Sequence, residues 1–600
     1  MAKAKKVPLR KDVMVEDTWD LRPLFPNDKA WHAALKELEG QIPRFEKFRG
    51  KLGTSAKVLL DCYRFDVELN KLAERVGSYA FLKASEDVAN STYQGMVQRY
   101  TFVATRAGEA ASFIAPEIQA IPKKTIDKYL KDPKLKDFRY ALEKLLRYRP
   151  HILSEAEERV LAMQGEVAGT AGKVFGQLND ADLKFGTVKD EKGRKVELTQ
   201  SSFRSLLESP KREVRKTAFH QFYKSYADHA NTTAATLSSS VLQDIYQSRV
   251  RNYPSALEGS LFHDNVPVAV YDSLIQAVHE NLKTVYRYHE VRRRALGLKR
   301  IHSYDLFVPI VEMKRMHIPY AEAVSTICES LKPLGSEYCR TLEKGLNARW
   351  VDRYENQGKR SGAFSAGGYA GPPYILMNYR GDVIDSMFTL AHEAGHSMHT
   401  YYSAKHQPFQ YYDYTIFVAE VASTFNEQLL GHYLQERAQD KKMRAFLINK
   451  EIDELRGTLV RQTMFAEFEK IIHAIAEAGE PLTLERIRAE YKQLLDLYFG
   501  PEFTIDEELS LESMRIPHFY HAFYVYKYAT GISAAIALSQ KVLHGGSKDR
   551  DAYLRFLQSG GSKFPLELLR DAGVDMERPE PVATAMRRFA SLVDELEELV

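Results

Sequence analysis

The five residues His392-Glu393-Ala394-Gly395-His396 constrain the fold of this chain most strongly. Residues four apart lie on one face of an α-helix, so a helix would place His392 and His396 around one metal ion with Glu393 beside it. Two imidazoles and a carboxylate at this spacing are typical of a catalytic zinc site. The pattern therefore predicts a helix with zinc chemistry, namely hydrolysis of a peptide bond.

The residues around this motif favour a buried helix. No proline interrupts residues 382–404. The apolar side chains that recur there at helical spacing are Met387, Leu390, Ala391, Ala394 and Met398. A glycine inside a helix costs about 1 kcal/mol relative to alanine, so we expect backbone or substrate to approach the helix closely at Gly395.

A catalytic zinc ion keeps three protein ligands and leaves one position for water, so a third ligand is needed. The candidates are His399, His406 and Glu420. His399 would lie about 10 Å further along the helix axis than His392, too far to share the ion, which indicates a structural or supporting role. Position 402 holds tyrosine where the metzincin pattern needs histidine, and that subclass is excluded.

Glu420 is the favoured third ligand. It lies in a second apolar, helix-like segment, residues 417–427, which follows a polar and aromatic loop. A helix, a turn and a returning helix would bring its carboxylate to the two imidazoles, giving a site of two histidines and one glutamate. Glu427 is the rival, but Glu420 sits among small and apolar residues where an unpaired carboxylate is unfavourable.

Several segments together resemble the oligoendopeptidase F family, relatives of thimet oligopeptidase, over nearly the whole chain. They are the HEAGH motif, residues 417–423, residues 358–364, residues 517–520, residues 303–306, Trp19-Asp20-Leu21 and Leu24-Phe25-Pro26. The resemblance implies a zinc endopeptidase for oligopeptides with one zinc ion per chain. It also implies a mainly helical, zincin-type fold around a deep substrate channel, and Glu420 as the third zinc ligand.

The residues of the site predict which side chains transfer the proton and which stabilise the oxyanion. Zinc lowers the pKa of a bound water towards neutrality, and we expect Glu393 to accept the water's proton and pass it to the leaving amine. The oxyanion of the tetrahedral intermediate needs further donors. The resemblance implies that a histidine and tyrosines of the aromatic run 518–528 supply them, and we place these roles on His518, Tyr524 and Tyr528. Which of the three contacts the oxyanion stays open.

The segment before the zinc helix predicts a place for the substrate. Residues 350–354 and 373–377 have the composition of short strands, and the glycines between them permit unusual dihedrals or a mobile loop. An exposed sheet edge here could bind an extended peptide as an added strand. Such binding uses hydrogen bonds to the peptide main chain and does not require one particular side-chain sequence. We therefore expect a small β-sheet edge beside the HExxH helix.

Composition excludes several other classes of protein. With 600 residues and 44% hydrophobic content, the chain can bury a large core. Lys and Arg number 84 against 80 Asp and Glu, so no basic field argues for nucleic acid. The triplet Arg292-Arg293-Arg294 is interpreted as a solvated helix face. The oligomeric state stays open.

The cysteines and the lengths of the apolar stretches indicate the cellular compartment that the protein occupies. The three cysteines, Cys62, Cys328 and Cys339, include no CxxC pair and favour a reducing compartment. No stretch has the apolar length of a secretory signal or a membrane span. We expect a cytoplasmic protein with no membrane partner.

A helical pattern dominates, with one clear hairpin signal. Residues 183–188 and 194–198 alternate as strands across a turn at 190–193. We place a domain boundary near it, with residues 1–200 as an N-terminal helical domain and residues 201–600 as the catalytic domain. A capping box is predicted at Ser154 and Glu157, and an apolar stripe runs along residues 582–596.

Two classes of function remain. The leading hypothesis is a zinc endopeptidase acting on short unfolded oligopeptides. The alternative is a helical peptide-binding or scaffold protein with an inactive zinc site, which is disfavoured because the motif, Glu420 and the downstream tyrosines are all present. An exopeptidase would need a group that holds a peptide terminus, and the residues alone leave that question open.

Overall fold

The computed structural model describes residues 6–311, 313 and 316–600 and is predominantly α-helical. Its α-helices are α1 Asp28–Gln41, α2 Ala56–Glu86, α3 Ser91–Ala111, α4 Ile114–Ala120, α5 Lys123–Leu130, α6 Arg139–Leu146, α7 Glu155–Ala168, α8 Thr170–Gln177, α9 Gln200–Leu207, α10 Arg212–Ala227, α11 Ala230–Val250, α12 Ala256–Phe262, α13 Val268–His279, α14 Leu282–Ala295, α15 Tyr320–Ser330, α16 Ser336–Asn347, α17 Asp385–His406, α18 Phe409–Tyr412, α19 Ile416–Glu436, α20 Lys441–Leu455, α21 Arg461–Glu477, α22 Leu484–Phe499, α23 Tyr526–His544, α24 Ser547–Gln558, α25 Pro565–Asp571 and α26 Glu580–Leu599. The prediction of a mainly helical fold is confirmed.

Short strands form three small sheets within the described residues. The strands are β1 Thr187–Lys189, β2 Lys195–Glu197, β3 Ile301–His302, β4 Val351–Asp352, β5 Phe364–Ala366, β6 Tyr374–Leu376 and β7 Phe503–Thr504. β1 and β2 pair antiparallel with Val188 opposite Val196, which confirms the predicted hairpin with shorter strands. β3 pairs with β7 in parallel.

The third sheet lies directly before the HExxH helix in the chain. β4 and β6 pair in parallel, and β6 pairs antiparallel with β5, giving the order β4-β6-β5. β4 and β6 fall within the two predicted strand segments. β5 falls among the glycines that were expected to form a loop, and with β4 it is one of the two outer strands of the sheet. β5, residues 364–366, contacts α17 and is therefore the sheet edge expected beside the HExxH helix.

The described chain forms two compact units, each built from three separate segments. The first unit combines the described parts of residues 1–150, 315–433 and 538–573. The second unit combines those of residues 151–314, 434–537 and 574–600. These units are defined by compactness, so the domain boundary at about residue 200 stays a prediction, as does the substrate channel.

In the first unit, the N-terminal segment is anchored to the sheet that precedes α17. Arg10 donates to the buried Asp352 carboxylate of β4 (Nη1 to Oδ1 2.9 Å), and the Lys359 ammonium, fully buried, pairs with the same carboxylate at 2.7 Å. The side chains of Tyr374 and Leu376 on β6 pack into the hydrophobic core formed with α1–α6. These contacts fix β6, and therefore its neighbour β5, against a helical support.

In the second unit, one sequence interpretation is wrong. Arg292 is 1% exposed and does not belong to a solvated face. Its guanidinium donates to the carbonyl oxygens of Asp305 (3.0 Å) and Val308 (2.6 Å) and to the Tyr288 hydroxyl (3.1 Å), so it satisfies buried backbone acceptors. Arg293 and Arg294 keep partly exposed side chains that pair with Glu290.

Two further local predictions are confirmed in this unit. Ser154 and Glu157 form the predicted reciprocal capping box at the start of α7. The side chains at 582, 586, 589, 593 and 596 are buried along α26. Across the described residues, no helix combines the length and apolar character that crossing a membrane requires.

Candidate active site

The HExxH motif lies in the middle of α17, which the structure buries on most sides. The apolar stripe predicted for this helix is buried, and the ring centroids of His392 and His396 lie 4.9 Å apart on one face. Asp385 in the first turn and Lys405 and His406 in the last turn complement the helix dipole. The helix therefore presents both imidazoles from a rigid, packed element.

Helix α19 returns against α17 at the glycine of the motif. A Cβ on Gly395 would lie 2.4 Å from the Ala422 carbonyl oxygen and 2.6 Å from the Ser423 Cα, both backbone atoms. The predicted close approach is confirmed, and its partner is backbone. The Asn426 side chain also donates to the Ala391 carbonyl oxygen at 3.2 Å. Together these contacts hold the two helices in register.

This register brings Glu420 to both histidines. Its Oε2 lies 3.4 Å from His392 Nε2 and 3.7 Å from His396 Nε2, and one ligand atom from each residue falls within 4.8 Å of the others. Bonds of about 2.0–2.1 Å in a tetrahedral site place ligand atoms roughly 3.3 Å apart. The three side chains thus have the donor chemistry and the spacing that a zinc ion requires.

The rival ligands lie elsewhere around the cluster. Glu427 Oε2 faces the other nitrogen of His392, at 3.2 Å from Nδ1. The buried His399 ring stacks on Tyr414, with centroids 3.6 Å apart, and its Nδ1 has no hydrogen-bond partner among the described residues. His406 places its Nδ1 2.8 Å from the Tyr402 carbonyl oxygen. Only Glu420 joins the three-residue group in the described part of the chain.

Each histidine ring has a further polar contact, and for His392 that contact is on the second ring nitrogen. Glu427 contacts Nδ1 of His392, and the Ala419 carbonyl accepts a hydrogen bond from the His396 ring. In metal sites, such outer partners fix the tautomer and orientation of the histidine ligand. The geometry gives Glu427 this orienting position.

Burial and mutual charge interactions shift the pKa values of the three side chains in this group. Burial would lower the pKa of His392, but the Glu420 and Glu427 carboxylates raise it to about 11. Burial and the neighbouring His392 lower the pKa of His396 to about 4. Burial would raise the pKa of Glu420, yet the two histidines lower it to about 2. One imidazolium and one neutral imidazole therefore face an ionised carboxylate.

Glu393 stands between the cluster and β5. Its side chain is buried, which raises its pKa to about 7, and the Ser365 backbone N–H donates to its carboxylate. Ser365 Oγ also lies 2.8 Å from Ser397 Oγ, one turn further along α17. A Cβ on Gly367 would lie 2.4 Å from the Thr400 side chain. The edge strand is thus packed directly on the zinc helix.

The other predicted site residues form a second cluster, in the second unit. The His518 ring lies 6.1 Å from that of Tyr524 and 6.0 Å from that of Tyr528, and the two tyrosine rings are 5.4 Å apart. His521 joins them, 5.2 Å from Tyr524, and the sequence analysis missed it. Its place beside His518 in the same aromatic run was the available signal.

The helical fold and the grouping of His392, His396 and Glu420 fit the class of metallopeptidases, and comparison with known proteins agrees. The pattern described as Peptidase family M3 matches residues 205–588, and that of Oligopeptidase F matches residues 117–185. Oligopeptidase PepF of Bacillus subtilis is 44% identical over 599 residues, covering 100% of this chain and 89% of that protein. An oligoendopeptidase F homolog of Borreliella burgdorferi is 37% identical, covering 98% and 99%.

Solved structures give the same result. A Chlamydophila abortus crystal structure superposes with a TM-score of 0.94 at 36% identity, covering 99% of this chain and 100% of that one. Oligoendopeptidase-F from Enterococcus faecium superposes with a TM-score of 0.74 at 35% identity, covering 95% and 99%. This chain belongs to peptidase family M3, a family of metallopeptidases. The predicted family resemblance is confirmed.

Proposed function

We propose that this protein is a zinc-dependent endopeptidase that hydrolyses internal peptide bonds of short, unfolded oligopeptides. The observation that carries the proposal is the grouping of His392, His396 and Glu420 within 4.8 Å, with Glu393 beside them. When bound by these three residues, one zinc ion would polarise the scissile carbonyl and acidify a water molecule. Glu427 holds Nδ1 of His392 and so orients the ring.

Glu393 acts as the general base and then as the general acid of the reaction. It lies next to His392 on α17 and is not part of the three-residue group, so its carboxylate is available to accept the proton of the attacking water. It then delivers that proton to the nitrogen of the leaving amine. The hydrogen bond from the Ser365 backbone N–H holds the Glu393 carboxylate in place during both proton transfers.

Substrate main chain binds at β5. This outer strand carries Ser365, the residue that contacts both Glu393 and Ser397, so a peptide added to its free edge would run along the zinc helix. Main-chain pairing requires no particular side chain, which suits a mixture of oligopeptides. His518, Tyr524 and Tyr528 supply hydrogen-bond donors for the oxyanion, an assignment that rests on the family resemblance and on the chemistry of phenols and imidazoles.

The test combines metal content and product mapping. Purified protein is expected to hold about one zinc ion per chain, as a single three-ligand site requires, and to cleave an internally quenched peptide. Mass spectrometry of the products from a peptide mixture then separates internal cuts from trimming at the ends. Products that differ from their parents only by terminal residues would contradict endopeptidase action.

The matched variant is Glu393→Gln, which keeps the size of the side chain and removes the base. Zinc content should stay at the wild-type level while kcat falls by roughly 10²–10⁴-fold, the range for loss of a general base. Undiminished turnover in zinc-loaded Glu393→Gln would refute the assigned base. If zinc-loaded wild-type protein cleaves no peptide in a varied set, a peptide-binding role would replace the proposal.

A further inference from the structure

The run from His518 to Tyr528 separates its side chains into two sets. Phe519, Phe523, Val525 and Tyr526 are buried, whereas His518, His521, Tyr524 and Tyr528 keep exposed or partly exposed side chains. The ring contacts described above gather the second set into one cluster. A reversal from a buried to a partly exposed side chain falls between Phe523 and Tyr524.

Phe523 makes this reversal with a left-handed backbone. Its φ is +52°, and the other non-glycine residues with positive φ in the described chain are both asparagines, which tolerate that region well. A large aromatic residue adopts this conformation only where its surroundings enforce it. Backbone outliers of this kind concentrate at functional sites.

Two kinds of contact enforce the conformation of Phe523. Its ring packs against His473, with centroids 4.5 Å apart, and against Tyr271 at 6.0 Å. Its backbone N–H donates to Glu469 Oε1 at 3.0 Å. The ring contacts hold the side chain in the core, and the hydrogen bond fixes the orientation of the peptide that precedes Tyr524.

Glu469 is an unusual residue for its place in the fold. It lies on α21 and is 1% exposed, with its Oε2 atom buried and without a hydrogen-bond partner among the described residues. Burial, together with the nearby Asp244 carboxylate, raises its pKa well above the usual range. An apolar side chain would occupy this position with no unpaired polar atom. The role that distinguishes the carboxyl is to accept the Phe523 N–H.

Two further contacts hold the same run. Ser260 Oγ donates to the Ala522 carbonyl oxygen at 3.2 Å, directly before Phe523. Lys527 pairs at 2.8 Å with the buried Asp264, four residues after Phe523. The run is thus held on both sides of the reversal, with Glu469 at its centre.

We propose that Glu469 is a positioning residue: by holding the Phe523 amide it sets the left-handed turn that directs Tyr524 and Tyr528 towards their donor role in peptide hydrolysis. The catalytic half of this inference rests on the proposed function, while the anchoring half is independent of it. Glu469 itself touches no substrate. Its removal should therefore act on turnover more than on substrate binding.

The experiment compares two variants of the full chain. Glu469→Gln keeps a neutral acceptor of the same length, and Glu469→Met keeps the length without an acceptor. Hydrogen exchange of peptides spanning residues 519–526 reports the anchor, and kcat and KM for a quenched peptide report its effect. Displacing a donor by about 1 Å is worth roughly 100-fold in rate, so we expect Glu469→Met to lose 10- to 100-fold in kcat with KM within about 3-fold.

In the same measurements Glu469→Gln should keep wild-type exchange and kcat within about 3-fold, and zinc content should be unchanged in both variants. Unchanged exchange at 519–526 in Glu469→Met would overturn the anchor. Faster exchange with unchanged kcat would overturn the positioning role. If Glu469→Met fails to fold, Ser260→Ala supplies the second measurement, because it removes a milder contact from α12 to the Ala522 carbonyl oxygen of the same run. It should raise exchange at 519–526 and lower kcat by a few-fold, and no change in either would count against the proposal.

The parallel Glu393→Gln assay separates this inference from the proposed function. Loss of activity in Glu393→Gln together with full activity in Glu469→Met contradicts the positioning role alone. Full activity in Glu393→Gln contradicts the proposed mechanism, and the exchange data on Glu469 then stand by themselves. Each pattern of results therefore points to one of the two statements.

Discussion

Gly395→Ala tests how the two helices of the candidate zinc site determine its geometry. The new Cβ would lie 2.4 Å from the Ala422 carbonyl oxygen and 2.6 Å from the Ser423 Cα. Ordinary contacts of this kind begin at about 3.4 Å, and backbone atoms cannot rotate away as side chains do. Helices α17 and α19 must therefore separate by about 1 Å at this point.

This separation falls next to Glu420, two residues before Ala422. A shift of about 1 Å would stretch a zinc–oxygen bond of about 2.0–2.2 Å beyond coordination. Disturbing the residues that position a metal ligand costs roughly 10–100-fold in metal affinity, and the upper end of this range is about 2.7 kcal/mol of binding free energy. The free energy of unfolding should change less than the zinc affinity. Overpacking lowers it by roughly 1–3 kcal/mol, and the better helix propensity of alanine raises it by about 1 kcal/mol.

Competition with a chelator measures the zinc affinity, and thermal unfolding in excess chelator measures the fold without metal. Gly431→Ala is the matched control, because Gly431 lies within the partner helix α19 and a Cβ there meets no atom within 4 Å. We expect Gly395→Ala to lose about 100-fold in zinc affinity and Gly431→Ala to keep it. A Gly395→Ala protein whose zinc affinity stays within about 3-fold of wild type would refute the reasoning.

Two further outcomes concern the carboxylates of Glu427 and Glu512. Removing the orienting contact on His392 with Glu427→Ala should lower zinc affinity by about 10- to 100-fold while the stoichiometry stays at one; loss of stoichiometric zinc in a chelator titration would instead make Glu427 a ligand. Glu512 is buried, which would raise its pKa, but Arg461 and Arg515 lower it from 4.5 to about 2. Because the folded-state pKa is depressed, ionised Glu512 adds about 3 kcal/mol to the free energy of unfolding above pH 4.5. This contribution is lost as the pH falls towards 2. Urea unfolding of the metal-free protein should show this loss in wild type, and a Glu512→Gln variant with the same pH profile would contradict it.

The sequence identifies elements whose signal is local. The HExxH helix, the hairpin near residue 190 and the capping box at Ser154 each depend on residues within one or two turns of one another, and the structure confirms all three. β5 is different. Its three residues lie among glycines, and their strand conformation comes from pairing with β6, about ten residues away. Nothing in the composition of residues 362–368 distinguishes a paired strand from a loop.

Long-range burial is equally invisible in local patterns. Arg292 and Glu469 both occur in helices of ordinary polar composition, yet one satisfies the carbonyl oxygens of Asp305 and Val308 and the other holds the Phe523 amide. Their roles depend on which loop packs against the helix. The same holds for the two compact units, whose segments alternate along the chain, so no composition change marks where one ends.

The sequence favours Glu420 over Glu427 as a ligand because its neighbours are small and apolar, and an unpaired carboxylate is unfavourable among them. Ala422 and Ser423 are the residues whose backbone meets Gly395, and larger side chains in this region would be harder to fit between two helices in backbone contact. The small residues that made Glu420 conspicuous are therefore those that let α19 approach α17 closely enough for its carboxylate to reach both histidines. On this argument Gly395 and its partners belong to the candidate site as much as the three side chains that face the metal position.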